Sequence, residues 1–340
     1  MKKVVLGLML SVATALTPLT SATAAEVTLR FSHFLPAVAS QHTKIIQVWA
    51  DKVAKESDGR INVEIYPAGG LAKAPKQYEA VEHNIADVAF VIQGYTANRF
   101  PLSQIVELPG IVKNAEHGSC VLQSLYDENL ISSEYKDTKP LFLFTHGQGL
   151  IHTKEKSIQS PEDLAGLRIR RPTAVVGKLL EGLGAQPVGM PAPHVYQALQ
   201  RGVIDGVAIP WQAALVFRLN ELSNAHTEVG GLYSLAFAVT MNKNVYDRLP
   251  DDLKQVIDNN SGSEWSKIAG KVYDELDVKG RAQAKAQGHN IVSIDSEDPA
   301  WKSILDTASE GYLSELEARG LPARKIYSRA LELSSACNKT

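Results

Sequence analysis

The sequence has little cysteine, little net charge and no long apolar stretch after its first residues. Cys120 and Cys337 are its two cysteines. They could form a disulfide, or stay as a buried thiol and a terminal one, because a sequence does not give the distance between their Cα atoms. The 35 basic residues nearly balance 37 acidic ones, which argues against nucleic acid as a partner. No transmembrane helix is predicted beyond the N-terminus, because no later apolar run reaches roughly 20 residues.

The N-terminus has two lysines, then an apolar run over residues 4–16, a proline and a series of small residues. This order predicts a secretory signal peptide over residues 1–25, with cleavage after Ala24 or Ala25. We therefore expect an exported, soluble protein. The mature chain, about 315 residues long, exceeds what one hydrophobic core usually serves, so two lobes are predicted.

Strand and helix patterns alternate along the mature chain. Residues 27–94 read as strand, helix, strand, helix and strand, and the alternation starts again after Lys139. A long uninterrupted helical pattern runs from Ser263 to Gln287. This order predicts an α/β fold with mostly parallel sheets covered by helices, in two lobes, rather than a barrel.

The common enzyme signatures are missing from this sequence. It has no G-x-S-x-G elbow and no P-loop, and its nine histidines show no metal-ligand spacing. We therefore predict no cofactor, no metal ligands and no catalytic residues. A secreted two-domain α/β hydrolytic or lyase-type enzyme acting on a small acid remains the alternative, because paired carboxylates in a cleft need no short motif.

The segment GLRIRRP, residues 166–172, holds three arginines on a predicted strand. Arg168 and Arg171 fit a solvated position. Arg170 lies at the C-terminal end of this strand, just before a helix, and small ligands bind at that edge of open α/β sheets. Its guanidinium would match a carboxylate with two hydrogen bonds and cannot lose its charge, so we predict that Arg170 binds an organic anion.

Three long segments resemble one known family. They are SPEDLAGLRIRRP, LGAQPVGMPAPHVYQALQRGVIDGVAIPW and AVTMNKNVYDRLPDDLKQVI. With them, the chain resembles the periplasmic solute-binding proteins of tripartite ATP-independent periplasmic (TRAP) transporters, in the dicarboxylate-binding-protein group, over essentially its whole mature length. In this family the arginine of the G-L-x-I-R segment grips the ligand carboxylate, and the matching position is Arg170.

The resemblance implies a two-lobed periplasmic binding protein fold with hinge strands and a long interlobe helix. We expect lobe I to comprise residues 26–147 and 236–275, and lobe II residues 148–235 and 276–340. It also implies a monomer that binds an organic acid without catalysis and delivers it to the TRAP membrane permease subunits from the periplasm. Hinge closure would be the working motion.

The departures from the family indicate the kind of acid. Members that bind sialic acid have a second arginine where this chain has Leu150, and an asparagine where it has Ile209. His194 stands where glutamate is common. With Trp211 beside Ile209, these residues predict a less polar pocket and hence a monocarboxylate with an apolar or aromatic body.

The other predicted ligand-binding residues lie at strand ends that face the cleft. His33 or His146 could also donate a hydrogen bond to the ligand. With Arg170, Trp211, Ile209 and Leu150, the predicted wall comprises Phe34, His33, Gln93, Tyr95, Met190 and Phe237.

Overall fold

A computed structural model describes residues 25–339 of the chain. The predicted signal peptide lies outside the described residues, apart from Ala25. Within residues 25–339, no helix combines the length and the apolar character needed to cross a membrane.

The described chain alternates strands and helices, as the sequence predicts. The strands are β1 (Val27–Ser32), β2 (Ile61–Tyr66), β3 (Val88–Ile92), β4 (Thr138–Thr145), β5 (Leu150–Thr153), β6 (Arg168–Arg171), β7 (Gln186–Gly189), β8 (Gly206–Ile209), β9 (Ala225–Val229), β10 (Ala236–Asn242) and β11 (Asn290–Ile294). The helices are α1 (Gln47–Glu56), α2 (Gln77–Glu82), α3 (Ala115–Asp127), α4 (Ala174–Gly182), α5 (Val195–Gln200), α6 (Trp211–Val216), α7 (Lys243–Asp247), α8 (Asp251–Asn259), α9 (Ser263–Ala286), α10 (Pro299–Ala318) and α11 (Ala323–Ala336).

These strands form two sheets. Sheet A has the order β2-β1-β3-β10-β4, in which β10 is antiparallel to both of its neighbours. Sheet B has the order β11-β9-β5-β8-β6-β7, in which β5 is antiparallel to both of its neighbours. The remaining pairs are parallel. The predicted α/β fold with mostly parallel sheets is therefore confirmed, and the chain passes between the sheets at residues 146–149 and 230–235.

The long helix α9 connects the two halves of the molecule, as predicted. It packs on α3 and β4 of the sheet A side and on α6 of the sheet B side. The carboxylate of Asp274 accepts hydrogen bonds from the backbone N–H groups of Ala115 (2.7 Å) and Glu116 (2.9 Å), at the start of α3. Asp277, one turn later, accepts from the N–H of Gln212 (2.7 Å) at the start of α6. One face of α9 thus satisfies the free N–H groups of helices from both halves.

Gly270 allows α9 to approach α3 closely. A methyl group added at Gly270 would lie 2.6 Å from the Cα of Glu116 and 2.8 Å from the carbonyl oxygen of Ala115. Backbone atoms cannot rotate away, so Gly270→Ala should lower the free energy of unfolding by about 1–3 kcal/mol. The control is Gly311→Ala in α10, where no atom lies within 4 Å; it should be neutral or stabilise by up to about 1 kcal/mol. Urea unfolding measures both, and a Gly270→Ala variant as stable as the control would contradict this close packing.

A disulfide fixes the end of the chain to the sheet A side. Cys120 of α3 is bonded to Cys337, which lies 217 positions later in the sequence, and the two Cα atoms are 6.1 Å apart. The preceding helix α11 packs on α3, where Ile326 and Leu333 share a hydrophobic cluster with Leu122. The sequence left open whether the two cysteines form a disulfide or stay as thiols, and in the structure they form the disulfide. The predicted lobe boundaries, which place residues 276–340 in lobe II, stay a prediction.

Candidate functional site

Arg170 is buried at the C-terminal end of β6. This strand lies between β7 and β8 of sheet B, and the residue is only 2% exposed. Its Nε donates to the carbonyl of Met190, Nη1 donates to the carbonyl of Ala208, and Nη2 donates to the hydroxyl of Tyr95, all at 3.0 Å. A guanidinium has five N–H groups. Among the described residues, these bonds leave one N–H on each terminal nitrogen for another acceptor.

The other two arginines of this strand have different surroundings. Arg168 forms a two-pronged ion pair with Asp205, with Nε–Oδ2 and Nη2–Oδ1 distances of 3.0 and 2.7 Å, and it remains partly exposed. The side chain of Arg171 lies along Gly177 and Gly189. Of the three, only Arg170 lies at the cavity described next.

The cavity beside Arg170 lies between the two sheets, and about 440 Å³ there, open solvent included, is free of protein atoms. Both sheets contribute to it, since Phe34 follows β1 and Ile209 ends β8. Phe34, Phe237, Tyr95 and Ile209, four of the residues predicted to bind the ligand, line this cavity. Aromatic rings dominate the wall: Phe34, Phe90, Tyr95, Phe217, Tyr233, Phe237 and Tyr273.

The positive charge of Arg170 has no carboxylate beside it in the cavity wall. In the described part of the chain, the other polar wall residues are Gln41, Tyr95, His146, Gln212, Tyr233 and Tyr273. Burial lowers the pKa of His146 to about 3, and the charge of Arg170 acts in the same direction. Burial also raises the pKa of Tyr233, so its phenol stays protonated. A buried cation without a counter-charge is costly, so this cavity suits an anion.

Three hydrogen bonds link the halves of the molecule at the cavity wall. The Tyr95 hydroxyl, which follows β3 of sheet A, accepts from Arg170 and also from the N–H of Ala192 (2.9 Å), which follows β7 of sheet B. The Gln41 amide donates to Oε1 of Gln212 at 2.6 Å. The structure thus has the two sheets joined around the cavity.

The structure does not bring all predicted wall residues to this cavity. Trp211 begins α6, and its Nε1 donates to Glu228 at 2.8 Å, while its ring packs on Leu150. Both residues line another cleft together with Asp274 and Asp277. The side chain of Trp211 turns away because α6 starts immediately after Pro210, and a strand-end position does not reveal this direction. Leu150 begins β5 and packs with Trp211 rather than against Arg170.

Three more predicted residues do not line the cavity and instead form hydrogen bonds with residues that do. His33 accepts from the N–H of Leu35 at Nδ1, so its Nε2 carries the proton and donates to His42 (2.8 Å). The Gln93 amide donates to the carbonyl of Phe237 at 3.2 Å. Met190 offers its carbonyl to Arg170 rather than its side chain to the cavity.

Sequence reasoning missed several wall residues, namely Gln41, Phe90, Gln212, Phe217, Tyr233 and Tyr273. Phe90 lies in a predicted strand, but all five residues of β3 are apolar and buried, so the sequence does not show which of them face the cavity. The others lie in loops and helices, without a local signal. Within residues 25–339, no group of histidine, cysteine and acidic side chains is arranged to hold a metal ion.

Comparison with known proteins gives the family. Residues 31–313 match the family described as bacterial extracellular solute-binding protein, family 7. The chain is 38% identical to a TRAP solute-binding protein from Rhodoferax ferrireducens T118, solved with copurified benzoate, with a TM-score of 0.88 and coverage of 92% of this chain and 98% of that one.

Two further relatives agree. A marine metagenome TRAP solute-binding protein, solved with 3-hydroxybenzoate and specific for aromatic acid ligands, is 41% identical, with a TM-score of 0.88 and coverage of 92% and 99%. The C4-dicarboxylate-binding periplasmic protein DctP of Rhodobacter capsulatus is 26% identical over 314 residues, 89% of this chain and 92% of that one. The chain described here therefore belongs to family 7 of the bacterial extracellular solute-binding proteins, the solute-binding proteins of TRAP transporters.

Proposed function

We propose that the protein captures an aromatic monocarboxylate between its two sheets and delivers it, unchanged, to the membrane subunits of a TRAP transporter. The observation that carries the proposal is the pair of unpartnered N–H groups on buried Arg170, at the wall of an aromatic cavity. A carboxylate would accept both and neutralise the charge. The aromatic rings would cover a flat apolar body.

The cavity favours one carboxylate over two. Arg170 is the one cationic side chain in the described cavity wall, and the rest of the wall is largely apolar. A second carboxylate would be buried without a counter-charge, which is strongly unfavourable. The benzoate and 3-hydroxybenzoate found in the two similar structures support this preference.

Capture would proceed by closure of the two sheets around the acid. The wall residues come from both sheets, and the Tyr95 and Gln41 bonds join them. Opening would then release the acid, and the membrane subunits would receive it on the periplasmic side, from a single chain. This role needs no catalytic residue.

A thermal-shift panel tests the proposed function. The panel comprises benzoate, cyclohexanecarboxylate, succinate and benzyl alcohol. Benzoate at a hundred times its dissociation constant should add about 2.7 kcal/mol to the free energy of unfolding and raise the Tm. Cyclohexanecarboxylate should bind more weakly, and benzyl alcohol, which lacks the carboxylate, should not bind. A shift with succinate and none with benzoate would overturn the aromatic assignment, and chemical conversion of the bound acid, checked by mass spectrometry, would indicate an enzyme.

Tyr95→Phe should weaken acid binding about tenfold. The change keeps the ring but removes the oxygen that accepts from Arg170 and Ala192, so two N–H groups lose their partner in the closed arrangement. Titration calorimetry with benzoate gives the affinity, and stopped-flow measurement should show faster dissociation. Tyr196→Phe, which removes an exposed hydroxyl bonded to Glu221, is the control and should bind as the wild type does. Equal affinity of the two variants would contradict a role of Tyr95 in closure.

A further inference from the structure

His146 lines the cavity with one ring nitrogen unused. The residue is 1% exposed and follows β4, where the chain crosses between the sheets. Its Nδ1 lies 2.5 Å from the carbonyl oxygen of Gly147, whereas Nε2 is buried without a partner among the described residues. Buried polar atoms in folded proteins almost always have a partner, so this atom calls for an explanation.

The contact with Gly147 decides what Nε2 can do. A carbonyl oxygen only accepts, so Nδ1 must carry the proton. In a neutral imidazole the opposite nitrogen is then an acceptor. Protonation of Nε2 as well would create a second buried cation near Arg170, and both burial and this neighbour lower the pKa of His146 to about 3. Near neutral pH, His146 therefore presents an acceptor.

We infer that Nε2 of His146 accepts a hydrogen bond from a hydroxyl group on the bound acid, so that the site selects hydroxylated aromatic monocarboxylates. The inference rests on the proposed function, because it places the donor on an acid held by Arg170. The expectation from the sequence, in which His146 donates to the ligand, is thereby reversed.

The other unpartnered polar atoms in the wall are less restrictive. The Tyr233 hydroxyl has no partner among the described residues, but it can donate as well as accept. The Tyr233 hydroxyl suits the ligand carboxylate, because the positive charge of Arg170 also acts on this hydroxyl. The Gln41 amide has a free oxygen, yet its amide group and that of Gln212 can turn over together and exchange donor for acceptor. The tautomer of His146, in contrast, is fixed by a backbone carbonyl.

The test compares each of the three hydroxybenzoates with the fluorobenzoate substituted at the same position. Fluorine is close in size to a hydroxyl group but has no proton to donate. For at least one position, the hydroxy acid should bind about tenfold more tightly to the wild type, measured by calorimetry at pH 7.5. His146→Phe should reduce this ratio to near one, and His146→Gln, whose side-chain oxygen can accept, should restore part of it. Tyr233→Phe and Gln41→Leu are the matched controls, and both should keep the preference.

The outcomes separate the inference from the proposed function. If benzoate, hydroxybenzoates and fluorobenzoates all fail to bind, the proposed function is wrong. If they bind with equal affinities, or if Gln41→Leu removes the preference and His146→Phe does not, the inference is wrong and the receptor role stands. Should His146→Phe fail to fold, nitrogen NMR of the wild type decides: the Nε2 resonance should move with the preferred hydroxy acid and stay in place with its fluoro analogue.

Discussion

Replacing Arg170 with alanine is expected to abolish measurable binding of aromatic acids. Truncating one partner of a buried, hydrogen-bonded charge pair costs about 2–5 kcal/mol, which corresponds to a roughly 30- to 5,000-fold loss of affinity. The loss of affinity should be large because the described cavity wall has no second cation that could take the place of Arg170. Calorimetry with benzoate measures the affinity, and circular dichroism with thermal unfolding checks the fold.

Two variants act as controls for this experiment. Arg168→Ala removes an arginine from the same strand, but this one is paired with Asp205 and should leave the affinity unchanged. Arg170→Lys keeps the charge and loses the planar fork, so it should bind with intermediate affinity. The proposed carboxylate contact is refuted if a folded Arg170→Ala variant binds benzoate as the wild type does, or if Arg168→Ala weakens binding as strongly.

Removing the disulfide is expected to have the largest effect on stability. The Cys120–Cys337 bond closes a loop of 217 residues, and constraining so long a loop restricts the unfolded chain strongly. Replacing both cysteines with serine should lower the free energy of unfolding by about 2–5 kcal/mol. The Tm should fall by roughly 3–8 °C, as followed by calorimetry.

The same double variant should still bind benzoate with wild-type affinity. Neither cysteine lines the cavity, and the packing of α11 on α3 through Ile326 and Leu333 does not depend on the bond. Reduction of the wild-type protein with dithiothreitol should reproduce the loss of stability. An unchanged Tm in both experiments would mean that the bond contributes nothing to the fold.

The sequence identifies the position of Arg170 because the evidence there is local. An arginine at the C-terminal end of a parallel strand, just before a helix, lies at the edge where α/β sheets bind ligands, and the structure has this placement. The contact of its guanidinium with Tyr95 joins residues 75 positions apart. No local pattern encodes such a contact, because it depends on how the two sheets come together.

Side-chain direction explains the predicted wall residues that lie elsewhere. Trp211 does follow a strand end, but it is also the first residue of α6, and the helix turns its ring towards His152 and His226. The long pattern of α9 was predictable from its uninterrupted helical spacing. The short strands β5, β7, β9 and β11 were not predicted; each has only four or five residues, and nothing in the sequence beside them marks a strand as Arg170 and Pro172 do for β6.

The place of β10 has a consequence for the order in which the protein can assemble. This strand lies between β3 and β4 and is hydrogen-bonded to both. In the chain, however, it comes almost a hundred residues after β4 and more than a hundred after β3. Until the chain has been synthesised as far as Asn242, β3 and β4 each keep an unpaired edge. Sheet A therefore cannot be completed early during synthesis, because its central pairing waits for β10.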